Sequence, residues 1–306
     1  MQEHVYRTYK SMLFGLAYRM LGSAADAEDI VHDVFAQYLQ TDKRDIANER
    51  AYLTKMTANR CINVLNSARH KREQYIGTWL PEPMPDEGWQ DEASAQTERK
   101  EMIGYAYLVM LQRMTPLERA VYVLREALRF EYREIAEILE RTELSCRKTY
   151  SRARKAVGLD AGGDGTGLSK EYAKPDRVRL QYQFVEVFLR AADSGDFQPL
   201  VTYLKEEVTL VSDGGGKVRA AIKPILGLER VLAFLTGLSA KGRFEAGFRP
   251  IRMNGEPGLA LVEARKCTML ISIEWEPDGS RIRHLYIIVN PDKLQRFNRG
   301  SLGTSL

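Results

Sequence analysis

From the N-terminus to about residue 75, apolar side chains recur at steps of three and four, with no proline and no clustered glycine. That pattern predicts helix throughout. Trp79-Leu80-Pro81-Glu82-Pro83-Met84-Pro85 then breaks it, and acidic residues continue to Glu92. Three prolines in five residues make an extended, semi-rigid connector. Helical periodicity resumes near Ala95 and runs to Val157, with breaks near Thr115-Pro116, Phe130 and Arg141-Thr142. The segment from Ala161 to Gly167 holds four glycines and reads as a flexible linker. Beyond it, helical stretches (about 176–193 and 227–240) mix with alternating runs, Cys267 to Trp275 and Arg281 to Val289, that read as strands. The expected organisation is multidomain: two all-α helical domains (1–78 and 95–160) joined by a Pro-rich linker (79–94), then a Gly-rich linker (161–171) and an α+β domain (172–306).

Three helical segments carry patterns beyond core formation. In Ser23 to Leu39, Ser23 and Asp26 resemble a capping box, and Asp26, Glu28 and Asp29 suit a helix N-terminus. Ala27, Ile30, Val31, Val34, Phe35, Tyr38 and Leu39 form one face; Asp26, Asp29, Asp33 and Gln37 form the other. That acidic face is either merely solvated or a dock for a basic partner. From about Glu49 to Arg72, Asn59, Asn63, Asn66 and His70 fall at steps of four, three and four, on one stripe. Asparagine is a poor helix former, so helix stability does not explain them; it presents donor and acceptor together, as reading base edges requires. Arg60, Arg69, Lys71 and Arg72 stand beside the stripe, placed to hold a phosphate backbone. Arg133 to Val157 has helix-turn-helix spacing, with Thr142 as N-cap of the second helix. There Cys146, Tyr150, Ala153 and Val157 point inward, and Glu143, Arg147, Lys148, Ser151 and Arg152 face out. Residues 144–158 carry five cations and no acid. Such a segment is long enough to lie across a DNA major groove.

Composition narrows the chemistry. The chain has 306 residues, 44% hydrophobic and 28% charged, with a net charge of +4. Its three cysteines (Cys61, Cys146, Cys267) lie far apart, giving neither a disulfide framework nor a thiolate metal site. None of the four histidines pairs at ligand spacing. No metal, no cofactor and no catalytic set is expected. The longest nearly apolar run, Met102 to Leu111, is half of a membrane crossing, and no secretory leader is present, so a cytoplasmic protein without a membrane partner is expected. Asp213-Gly214-Gly215-Gly216-Lys217 fails as a phosphate loop, because Val211 and Val218 stand where glycine and Ser/Thr are required. It reads instead as a loop between strands Val208–Val211 and Lys217–Arg219, or as a contact to another domain. His284 sits alone in a strand, and no partner for it can be assigned.

At this level the motifs resemble a known family. Leu16-Ala-Tyr-Arg-Met-Leu-Gly22, Asp26-Ala-Glu-Asp-Ile-Val31, Asn59-Arg-Cys-Ile-Asn63 and Ser67-Ala-Arg69 look like region 2 of bacterial extracytoplasmic-function (ECF) sigma factors. Thr115-Pro-Leu-Glu-Arg119, Glu134-Ile-Ala136 and Ser151-Arg-Ala-Arg154 look like region 4. Trp79-Leu-Pro-Glu-Pro83, Asp213-Gly-Gly-Gly-Lys217 and Asn290-Pro-Asp-Lys-Leu294 resemble the SigJ-type subgroup with a SnoaL-like C-terminal domain of the nuclear-transport-factor-2 fold. The resemblance implies that Asp26, Asp29 and Asp33 dock on core RNA polymerase. It implies that the Asn stripe and the loop before it (Thr41 to Asn48) capture the −10 element as a single strand, with Tyr52 as stacking aromatic. It assigns the −35 duplex to the second region 4 helix, with Arg147 and Lys148 foremost. The sequence departs from the family at Glu140, where a turn glycine is usual, at Tyr52 and Asn63, where Trp and Asp are frequent, and at Thr149 and Tyr150. The C-terminal domain is expected to regulate in cis through a contact of Trp79, Leu80 and Pro81 with the loops 213–217 (Asp213, Gly214, Gly215, Gly216, Lys217) and 290–294 (Asn290, Pro291, Asp292, Lys293, Leu294). A small-molecule ligand in that domain stays open. A ligand-responsive helix-turn-helix regulator would share region 4, but it needs no Asn-striped strand reader.

Overall fold

The computed structural model describes residues 2–42, 46–73, 75–86, 104–157 and 175–299. They form two compact units, one from residues 1–73 and 108–167, the other from 74–107 and 168–306. In the first, helices α1 (Gln2–Leu21), α2 (Ala24–Gln40) and α3 (Glu49–Glu73) pack on one another. The run read as continuous helix is cut at Gly22, which takes a left-handed φ of 68°, and restarted by Ser23, whose hydroxyl accepts from the Asp26 amide at 3.2 Å. Leu39, placed on the apolar face of α2 by periodicity, is half exposed, because the buried stripe ends with Tyr38.

Helix α4 (Tyr105–Leu111) precedes α5 (Pro116–Glu126), which a Thr115/Glu118 capping box starts. Helices α6 (Tyr132–Leu139) and α7 (Glu143–Ala156) follow. Both helical regions belong to this one unit. Buried Arg119 of α5 donates to the Met20 carbonyl of α1 at 2.5 Å and to Gln112 Oε1 at 3.0 Å. Arg50 of α3 donates to the Leu128 carbonyl at 2.8 Å and covers the Phe130 ring. Lys55 pairs with Glu140 at 2.7 Å.

The second unit is built on a six-stranded sheet: β1 (Leu204–Asp213), β2 (Ile225–Leu226), β3 (Phe248–Met253), β4 (Glu256–Glu263), β5 (Lys266–Trp275) and β6 (Ile282–Ile288), in the order β2-β1-β6-β5-β4-β3. Every pairing is antiparallel except β1 with β6. Helices α8 (Pro175–Ser194) and α9 (Leu228–Ser239) contact it, and α10 (Gln295–Arg299) closes the described chain. Strand β1 pairs with β2 rather than with Lys217–Arg219, which forms a turn. Phe184 and Phe188 of α8 pack with Phe197, Phe244, Phe248 and Trp275 in a buried aromatic core. Each such ring contributes roughly 2–3 kcal/mol by leaving water. Leu285, Ile287 and Val289 join that core, so Tyr286 between them faces the other side of the sheet, where the Tyr105 ring meets it at 5.8 Å.

Segment 75–86, the described part of the Pro-rich connector, lies in this second unit, as does Tyr105 at the start of α4. Compactness therefore divides the chain differently from periodicity and composition. What the composition marks as a linker is held by polar bonds to residues far along the chain.

Candidate DNA, polymerase and connector contact surfaces

Helix α7 shows two opposite stripes. Cys146, Thr149 and Ala153 are buried, while Leu144, Arg147, Lys148, Ser151, Arg152 and Lys155 are exposed. Thr149, expected on no particular face, turns inward. Tyr150 is half buried, its hydroxyl bonded to Glu126 and its ring stacked on Tyr122. Burial and the Glu126 carboxylate push that hydroxyl's pKa upward. Thr142 caps α7 by accepting from the Ser145 amide at 3.2 Å. Glu140 meets the demand for a turn glycine by taking left-handed φ 52°, ψ 50° itself. Arg147 is steered by Glu143 (2.6 Å) and lies 4.5 Å from the Tyr132 ring centroid. Leu144 is an exposed apolar member of this stripe that the sequence reading left out. Its signal was present: an apolar side chain in register with Arg147, Lys148 and Ser151 at i, i+3, i+4 and i+7.

On α3, Asn63 and Asn66 are exposed and Asn59 is half buried. Arg60 leans back on α2, donating to Gln37 Oε1 at 2.7 Å and pairing with Asp33 at 3.4 Å. It thus joins the Asn stripe to the acidic one. Tyr52 is half buried, with its hydroxyl 3.4 Å from Thr41 Oγ1 and its ring near Tyr38. The side chains of Arg69 and His70 lie outside the described residues. Asp26, Asp29 and Asp33 are all exposed along α2.

The third set converges on one carboxylate. Asp213, buried at the end of β1, accepts from the Tyr75 hydroxyl (2.6 Å), the Leu80 amide (2.9 Å), the Gly215 amide (2.9 Å) and Lys293 Nζ (2.6 Å). Lys293 also donates to the Leu80 carbonyl and stands 4.2 Å from the Trp79 ring centroid. Asn290 donates to the Tyr75 hydroxyl at 2.9 Å, and Lys217 pairs with Asp292 at 2.6 Å. Burial and the neighbouring Asp213 charge raise the Tyr75 pKa. Leu80, Pro81 and Leu294 are buried; Pro291 is exposed.

Sterics explain the three glycines. A Cβ on Gly214 would overlap the Val218 carbonyl oxygen, one on Gly215 (φ 63°) the Asn290 side chain, and one on Gly216 (φ 71°) would press on Ile76 Cδ1. Further along, Met84 and Asn254 exchange bonds of 3.0 and 2.9 Å, and Asp86 accepts from Arg252 (3.0 Å) and the Gly255 amide (2.8 Å). The Tyr105 hydroxyl returns to the Pro81 carbonyl at 2.7 Å. Nothing local in the sequence pointed Tyr75, Asn254 or Tyr105 to this contact.

Comparison with known proteins identifies the family. Residues 5–71 match sigma-70 region 2, and residues 105–157 match sigma-70 region 4. The chain is 32% identical over 305 residues to the ECF RNA polymerase sigma factor SigJ of Mycobacterium tuberculosis H37Rv, spanning 96% of this chain and 93% of that protein. The chain belongs to the ECF sigma factors. This sigma factor is also similar to the probable ECF RNA polymerase sigma factor SigI of M. tuberculosis, at 29% identity over 65% of each chain. The crystal structure of M. tuberculosis SigJ superposes with a TM-score of 0.73 at 29% identity, covering 95% of this chain and 97% of that one. Regions 2 and 4 of a sigma factor bind core RNA polymerase and promoter DNA and direct promoter-specific initiation; the sigma factor itself is no enzyme. No helix among the described residues is long and apolar enough to cross a membrane.

Proposed function

We propose that this sigma factor reads the −35 duplex with the outward stripe of α7 and the −10 single strand with the Asn stripe of α3. The acidic stripe of α2 docks on the core polymerase, in the cytoplasm. The C-terminal domain, read as SnoaL-like from its motifs and consistent with a mixed six-stranded sheet and a long helix, regulates these regions in cis by holding the connector between them. One observation carries this last step: Asp213 and Lys293 grip Tyr75, Trp79 and Leu80 between the two helical regions.

The spacing argument is physical. Elements about 25 base pairs apart lie roughly 85 Å apart along the duplex. Region 4 packed on region 2 through Arg119 and Arg50 cannot reach both. The regions must part, and the connector's anchoring limits how far. The buried aromatic core lies within the C-terminal domain, and the reading rests on the connector contacts alone.

Run-off transcription with purified core polymerase tests it, comparing the full chain, its Asp213→Asn variant and a chain ending at residue 161. Initiation by the full chain with a changed level in the variant supports the proposal. Equal transcription by all three removes the regulatory role, and no initiation by any removes the promoter-reading assignments.

A further inference from the structure

A solvated leucine is ordinary on a protein surface. Leu144 is different in where it stands. It is 62% exposed in the first turn of α7, at the head of a stripe whose other members, Arg147, Lys148, Ser151, Arg152 and Lys155, are all polar. Thr142 fixes the start of this helix, so the turn that bears Leu144 is set by a cap. The opposite stripe is already committed to the core through Cys146, Thr149 and Ala153. The N-terminal turns of a recognition helix are the part that reaches base edges. On those edges the major groove offers hydrogen-bonding groups at every position and one apolar group, the C5-methyl of thymine. The Arg147 guanidinium is held by Glu143 and lies against the Tyr132 ring.

We infer that Leu144 is a specificity residue that packs on the C5-methyl of one thymine in the −35 element. The inference rests on the assignment of α7 to the −35 duplex and adds to it a base and an atom. Leu144 discriminates by burying a methyl group, while the cations around it supply affinity that does not depend on sequence.

The test separates the two levels. The full chain, assembled with core polymerase, selects its preferred −35 element from a randomised promoter library. Each thymine of that element is then replaced singly by deoxyuridine, which deletes the methyl and nothing else. At one position the replacement should lower open-complex formation by the wild-type holoenzyme roughly fourfold, the worth of one methyl withdrawn from water. Leu144→Ala should show about the same loss on the unmodified promoter and no further loss with deoxyuridine; Leu144→Met should keep most of the wild-type response. A selected element without thymine, indifference of the wild type to every deoxyuridine, or an undiminished deoxyuridine effect in Leu144→Ala overturns the Leu144 assignment while leaving α7 as the −35 reader. Selection of no −35 sequence at all overturns both.

Discussion

Replacing Asp213 with asparagine should undock the connector without unfolding the domain that holds it. The carboxylate is buried and accepts four donors, two of them, the Leu80 amide and the Lys293 ammonium, on Oδ2. Asparagine keeps the volume and one acceptor oxygen but turns the other position into an NH₂ group facing two donors. Lys293, whose side chain is 11% exposed, loses its counter-charge. Breaking a buried pair in this way costs about 3–5 kcal/mol. Charged to connector docking, that corresponds to roughly 100- to 3000-fold easier local opening. Amide hydrogen exchange reads it directly, because the Leu80 and Met84 amides bond to Asp213 and Asn254 only while the connector is docked. Both should accelerate by that factor, with Leu80 leading, while amides in the β5–β6 ladder change less than about tenfold. Unchanged Leu80 protection would refute the role of Asp213. Equal acceleration in the β5–β6 ladder would show that Asp213 stabilises the whole domain rather than the connector.

A second prediction concerns pH. Burial alone would raise the Glu274 carboxyl, but His284, Tyr286 and Arg283 together hold it at about 2, below the ordinary 4.5. A depressed carboxylate adds stability above pH 4.5 and loses it as pH falls from 4.5 toward 2. Unfolding free energies of the wild type from denaturant titration should therefore drop across that window by on the order of 3 kcal/mol. Those of Glu274→Gln should fall less there, and parallel curves would deny the carboxylate its role. At the β4–β5 hairpin, Ala264 and Arg265 both adopt left-handed φ, 46° and 65°. Replacing the pair by Asn-Gly should raise unfolding free energy by about 1–3 kcal/mol in urea titration, and no gain would mean the turn is unstrained. Burial pushes the Cys61 and Cys267 thiols up to about 12. At pH 8, Ellman's reagent should titrate them only after unfolding, and rapid labelling of the native chain would contradict their placement.

The helical half was readable because its information is local. Spacing of three and four separates buried from exposed residues on α2 and α7, and the Thr115, Thr142 and Ser23 caps mark helix starts within a few residues. Strands β5 and β6 were readable from alternation. The hairpin of β3 and β4 was missed although Asn254-Gly255, both at positive φ, join Met253 to Glu256 in a two-residue turn, the strongest short hairpin signal there is. Arg249, Arg252, Pro250 and Gly258 obscured the alternation around it. Strand β1 hid its length behind a register irregularity between Leu204 and Thr209. Family motifs single out Trp79, Leu80, Asp213 and Lys293; nothing local could have added Tyr75, 138 positions from its Asp213 partner, or Asn254, 170 from Met84.

The chemistry of the clasp bears on how it would act. A connector buried mainly by apolar side chains would share the domain's core and leave it only at the cost of unfolding. Here Leu80 and Met84 are buried, yet neither belongs to the aromatic core around Phe184 and Phe188. The polar part of the hold comes from side chains that each serve several donors or acceptors: Asp213, Lys293, Asn290 and Asn254. Networks of that kind are worth more together than pair by pair, and they fail together when one member loses its charge or position. The polar hold on the connector is therefore distinct from the aromatic core, and under the proposed regulation its release would be close to all-or-none. Under the proposed regulation, those two properties would let the domain release the connector while itself remaining folded.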